Sequence, residues 1–121
     1  AIWTCKLDST IVKSFNAFGY CKIKNKNNVT NIVEKKTISK SPINDQMMIG
    51  SFWFRKAKVF FDNCDEARKK NFLLNNEYYV GNNINLLLKK NFKFAIFEVD
   101  QWISLGDPFE VKVFEYWEDI F

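Results

Sequence analysis

Apolar residues recur along the chain at a two-residue period, in runs separated by short polar breaks. The pattern predicts a strand over residues 11–23, where Phe18, Tyr20 and Lys22 oppose Gly19, Cys21 and Ile23. A polar turn at 24–28 leads to a second extended segment over 29–38, carried by Val29, Ile32, Val33 and Ile38. Residues 41–45, Ser-Pro-Ile-Asn-Asp, read as a loop. The clearest alternation covers 52–61. Phe52, Phe54, Lys56, Lys58 and Phe60 fall on one face, and Trp53, Arg55, Ala57, Val59 and Phe61 on the other, which predicts a strand. A short strand is expected to end at Tyr78-Tyr79-Val80-Gly81, and alternation over 86–99 predicts another.

Two segments break this period. Asp62, Asp65 and Glu66 precede Arg68, Lys69 and Lys70, the charge order that suits a helix dipole, so a short helix is expected after Asp62. Near the end, Asp107 can cap a helix, Pro108 fits its first position and Glu110 completes a capping box. Phe109, Val113, Trp117 and Ile120 then share one face, expected to pack on the core. The whole reads as a single domain over 1–121, mainly β, a barrel or sandwich with helical additions.

Composition narrows the chemistry. With 47% hydrophobic and 17% aromatic residues, the chain buries a core. It has no His, which removes Ser-His and Cys-His nucleophile pairs and imidazole metal sites. Asp62, Asp65 and Glu66 are the tight carboxylate cluster outside the C-terminal segment, and the helix start explains them without catalysis. Cys21 or Cys64 as a nucleophile lacks its usual base. The three Cys match no zinc spacing, and the four glycines form no phosphate loop. A protein without catalytic residues, metal or cofactor is expected.

Charge is polarised. Residues 1–97 carry 17 basic and 7 acidic side chains, net +10, and residues 98–121 carry 1 and 7, net −6. The acidic end is expected to pack back on the basic body, the alternative being that each pole meets a different partner. Lys, Asn, Phe and Ile supply 54 of the 121 residues, a bias of AT-rich coding that discounts part of the Lys and Asn content. Basic and aromatic residues interleave at Trp53-Phe54-Arg55-Lys56 and at Lys89-Lys90-Asn91-Phe92-Lys93-Phe94. A single-strand nucleic-acid platform uses such residues, but strands with a Phe face inward and a Lys face outward explain them better, and only two arginines are present to recognise phosphates. No stretch is long and apolar enough to span a bilayer. The chain begins at Ala1 as a mature chain does after signal removal, and as an excised domain does. With the glycosylation acceptor Asn28-Val29-Thr30, this gives an expectation of secretion, in which three Cys make one disulfide and one leftover thiol.

Cys64, Tyr78-Tyr79-Val80-Gly81, Asn91-Phe92-Lys93-Phe94 and Trp102-Ile103 together resemble a pattern of netrin-like domains. These occur in tissue inhibitors of metalloproteinases, complement C-terminal domains and small secreted inhibitors of parasitic worms. The resemblance implies an OB-like barrel of five to six antiparallel strands, flanked by helices. It also implies a disulfide between Cys5 and Cys64, closing a loop of about 60 residues worth about 4 kcal/mol. Cys21 is then the free thiol, available to link two copies. The family's other disulfides are absent here, and four residues precede Cys5, so chelation of a protease zinc by an amino-terminal Cys does not carry over. The implied function is a secreted, non-catalytic binder of a protein ligand, an inhibitor or modulator of a host receptor or enzyme. The alternative is an OB-type single-stranded nucleic-acid binder. Ligand-contact candidates are Trp53, Arg55, Lys56 and Lys58 on a β-face, and Ile2 and Trp3 on an apolar N-terminal arm.

Overall fold

The computed structural model describes residues 1–7 and 14–120. Five strands form one sheet: β1 (Ile2–Cys5), β2 (Gly19–Lys24), β3 (Asn28–Glu34), β4 (Gln46–Phe52) and β5 (Ile96–Glu98). Helix α1 (Ala57–Lys69) and helix α2 (Val80–Lys89) follow β4, and α3 (Pro108–Glu118) follows β5. The strand order is β3-β2-β4-β1-β5. β1 pairs antiparallel with β4 and parallel with β5, so the sheet is mixed and the expected all-antiparallel pairing is corrected. Helical residues outnumber strand residues, so the expected mainly-β class becomes a mixed one.

The sheet curls into a half-barrel, because the first residues of β3 meet those just before β5. Asn28 bridges Ala95, Val29 N–H donates to the Phe94 carbonyl at 2.9 Å, and Ile96 N–H donates to the Asn27 carbonyl at 2.9 Å. The rest of the β3 edge is covered by α2. There Ile32 N–H donates to Asn85 Oδ1 at 2.9 Å, and Asn85 Nδ2 donates back to the Ile32 carbonyl at 2.8 Å.

Successive residues of a strand face opposite sides of the sheet, and here both sides are covered. One side holds Ile2, Cys21, Val29, Ile32 and Met48 against Ile84 and Leu87 of α2 and Phe94. The other holds Cys5, Leu7, Tyr20 and Met47 under Phe15, Phe18 and Trp102. This explains why the neighbours Tyr20 and Cys21, and Met47 and Met48, are all buried. β1 is an inner strand rather than a free arm, so Ile2, with no exposed surface, is a core residue and not a ligand contact.

Three expected strands are corrected. Residues 52–61 split into the end of β4 and the start of α1, while 86–99 split into the end of α2 and β5. The tyrosine segment at 78–81 leads into α2, whose N-cap is Tyr79, instead of ending a strand. The strand expected over 11–23 falls partly outside the described residues, and from Gly19 it is β2. The loop expected at 41–45 contains a single 3-10 turn, Pro42–Asn44.

Asparagine ends the helices. α1 and α2 each close with the sequence Lys-Lys-Asn-Phe, at 69–72 and 89–92, the Asn at positive φ (49° for Asn71, 64° for Asn91). Phe72 N–H donates to the Ala67 carbonyl and Asn71 N–H to that of Arg68; Phe92 and Asn91 repeat this on Leu87 and Leu88. These are Schellman motifs, with lysines at the negative dipole end. The basic-aromatic run at 89–94 is therefore a helix stop.

Candidate functional site

Helix α3 is made by local signals. Asp107 Oδ1 accepts from Phe109 N–H at 2.8 Å and Glu110 N–H at 2.9 Å, while Glu110 Oε2 accepts from Ser104 Oγ at 2.6 Å and Gly106 N–H at 2.9 Å. The capping box read from the sequence is thus formed. The burial expected of its apolar face is not. Phe109 (59% exposed), Tyr116 (62%) and Ile120 (51%) keep about half or more of their surface exposed, as does Trp117, and Val113 is exposed too. These five fall within about 100° of the helix circumference. The other side carries the half-buried Val111 and Phe114, and α3 has no buried residue at all.

The magnitude makes this exposure informative. Fully burying one such side chain is worth about 1.5–3 kcal/mol. Five that are half-covered leave on the order of 5 kcal/mol unrealised, the lower end of a whole domain's stability. Ile103 and Leu105, in the segment before the helix, are exposed as well. Isolated helices shorter than about 12–15 residues are marginal, and α3 has 11. The acidic end of the chain therefore stands as an apolar helix framed by Glu115, Glu118 and Asp119.

A second surface lies where β4 passes into α1. Trp53 is 54% and Phe61 62% exposed, and Arg55, Lys56 and Lys58 are exposed beside them. Rings step outward from the core at centroid spacings of 5.6, 5.2 and 5.5 Å, through Phe94, Phe54, Phe60 and Phe61. Lys58 pairs with Asp62 at 2.8 Å. The N-cap of α1 is Lys56, which makes no side-chain cap, and the first turn has no acid, so cations crowd the positive end of the dipole. Four of the six sequence-chosen contact residues, Trp53, Arg55, Lys56 and Lys58, thus share one exposed corner, although on a strand-to-helix junction and not a β-face. Trp3 is half-buried and packs on the exposed Phe97 of the neighbouring β5, ring centroids 5.8 Å apart.

The cysteines do not join. Cys5, Cys21 and Cys64 are all free, which corrects the implied Cys5–Cys64 disulfide. Cys5 belongs to the core beside Tyr20 and Met47, whereas Cys64 is half-exposed on α1. Cys21 is 1% exposed, so β2 would have to unfold before it could link two copies. Burial, with the Glu34 carboxylate nearby, pushes its thiol up to about 12, so it stays protonated at neutral pH. It is one of the residues lining an open hollow of about 620 Å³, with Lys6, Lys22, Asp45 and Gln46. Burial, then Glu98, raises the Cys5 thiol too.

Sequence reasoning passed over Glu34. Its carboxylate and the Met48 methyl occupy the space that a Cβ on either Gly19 or Gly81 would fill, so two glycines from distant segments form one cradle. Burial raises its pKa, opposed by the neighbouring Lys35. Lys35 Nζ in turn donates to the Ala17 carbonyl at 2.6 Å and sits 5.7 Å from the centre of the Tyr79 ring. Asp62, Asp65 and Glu66 lie along α1 and pair with Lys58, Arg68 and Lys70 respectively. Glu66 also binds Lys90 at the end of α2, and the hydrogen bonds from Lys70 and Lys90 lower its pKa. Among the described residues no three His, Cys, Asp or Glu gather as metal ligands, and no helix is long and apolar enough to cross a membrane. Asn28, the glycosylation acceptor, is exposed at the start of β3. No family model, curated protein or solved structure matches the chain.

Proposed function

We propose that this protein is a non-catalytic binding module that holds another protein through the exposed apolar face of α3 and the Trp53–Phe61 corner. The observation that carries the reading is the exposure of the apolar side chains Val113, Tyr116 and Ile120 on a well-capped helix. Exposed apolar surface of that size on a small domain marks an interaction site, and Trp and Tyr are the residues that dominate such sites. The tyrosine segment behind the netrin-like resemblance starts a helix, so contact surface and not family likeness supports the reading. The free thiols lack the disulfide that secretion leads one to expect, while Asn28, the acceptor behind that expectation, is exposed. The nucleic-acid alternative loses its second basic-aromatic run to the end of α2.

The test is photo-cross-linking from position 116 in extract or fluid from the protein's source. A discrete protein adduct is expected, absent when the probe replaces Lys40, and lost in Val113→Ser/Ile120→Ser with the melting temperature unchanged. No adduct, or an adduct indifferent to those substitutions, contradicts the reading.

A further inference from the structure

We propose that the occupant of the α3 face is a second copy of this chain, whose Trp53–Phe61 corner receives the acidic end of the helix in a reciprocal two-fold pair. The inference rests on the reading of α3 as a protein-contact surface. It follows from charges that each helix carries at its own wrong end. α1 starts among Arg55, Lys56 and Lys58 at the positive end of its dipole, without an acid in its first turn. α3 finishes among Glu115, Glu118 and Asp119 at the negative end of its dipole, without a base in its last turn. Both arrangements are unfavourable in the separate helices. Placing the last turn of α3 against the first turn of α1 makes both favourable at once.

The apolar parts match as well. Trp53 and Phe61 on one side, and Tyr116 and Ile120 on the other, are each about half or more exposed; Arg55 and Lys56, with Lys58 offset by Asp62, leave the corner positive, and Glu115, Glu118 and Asp119 leave the end of α3 negative. Within one chain the two surfaces stay apart. Among the described residues the ion pairs of this region join α1 to itself and to α2, and none reaches α3. A two-fold pair uses the contact twice, once in each direction. The net charges, +10 over 1–97 and −6 over 98–121, would also steer the encounter.

The test is sedimentation velocity of the full chain over a concentration series at low and high salt. The dimer is expected to form with concentration and to weaken with salt. Glu115→Lys/Glu118→Lys/Asp119→Lys in α3, and separately Arg55→Glu/Lys56→Glu/Lys58→Glu at the corner, should each weaken dimerisation by about a hundredfold. Mixed in equal amounts, the two variants should form a 1:1 dimer, because each then meets a surface of opposite sign in both contacts. Circular dichroism checks that both variants are folded, and Arg55→Gln/Lys56→Gln supplies a milder corner change. A wild-type monomer at every concentration, a dimer indifferent to both variants, or a mixture that stays monomeric overturns the proposal. A monomeric wild type, together with an unchanged melting temperature in Val113→Ser/Ile120→Ser, leaves α3 as a contact surface for another protein. A melting temperature that falls as for a core substitution removes that reading too.

Discussion

The side-chain amide of Asn85 completes the backbone hydrogen bonding of Ile32, standing in for the next strand. Its Oδ1 accepts from Ile32 N–H and its Nδ2 donates to the Ile32 carbonyl, at 2.9 and 2.8 Å. β3 has α2 where a closed barrel would have a strand, and one side chain of that helix supplies both missing groups. Asn85→Leu leaves the two backbone groups unpaired and should cost about 1–3 kcal/mol in denaturant unfolding. Asn85→Asp keeps the acceptor but points a carboxylate at a carbonyl. Its folded-state pKa rises above the unfolded one, so the variant should be more stable in acid and lose that stability as pH rises through the folded value. A variant Asp as stable as wild type at neutral pH contradicts this pairing.

The helix stops depend on asparagine in the left-handed region. Asn91→Gly should preserve stability within about 0.5 kcal/mol, whereas Asn91→Ala should cost about 1–2 kcal/mol, because Cβ then opposes the required φ. The same order is expected at Asn71, read by urea midpoint at constant slope. Equal midpoints for Gly and Ala would show that φ at these positions does not matter.

Glu34 carries a pH signature. Its folded pKa is raised by burial, so the folded protein holds this proton more tightly than the unfolded chain does. The stability linked to it is complete below the unfolded carboxylate value and is lost as pH rises through the folded one. Glu34→Gln should therefore raise the melting temperature at neutral pH and not in acid. A variant that lowers the neutral melting temperature would mean that the charged carboxylate is stabilising in its cradle.

Thiol reactivity reports the cysteine placement. Cys64 should react with a maleimide in the native protein, while Cys5 and Cys21 react only on unfolding. A disulfide-linked 5–64 peptide from unreduced protein would restore the implied bridge.

What was legible in the sequence is what local chemistry dictates. The cap of α3 was readable because Asp107, Pro108 and Glu110 bond within their own turn. The turn at 24–28 was readable too, although Asn25 and Lys26 take the positive φ that glycine usually supplies. The helix expected after Asp62 is the second half of α1, but the first turn of α1 and both ends of α2 read as strands for a physical reason. The inward positions of the two helices include the buried Asn63 and Asn83, so a polar residue interrupts each apolar stripe at helical spacing. In α2 the spacing of Val80, Ile84, Leu87 and Leu88 was nonetheless a helical signal. Discounting asparagine as compositional bias hid the repeated Lys-Lys-Asn-Phe stop. At the candidate site, the sequence marked the α3 face but assigned it to the core, because amphipathicity names a face without saying what covers it. The Glu34 cradle joins residues 19, 34, 48 and 81, a meeting only the fold reveals.

The state of that α3 face decides the account, and hydroxyl-radical footprinting of the native protein measures it most directly. In dilute protein, Tyr116 and Ile120 should oxidise at rates close to those of the unfolded chain, while Tyr20 and Ile84 remain protected. Protection at 116 and 120 should appear only as concentration or a binding partner is raised. Side chains at 116 and 120 as protected as Tyr20 at every dilution would place the face in the core and contradict the account.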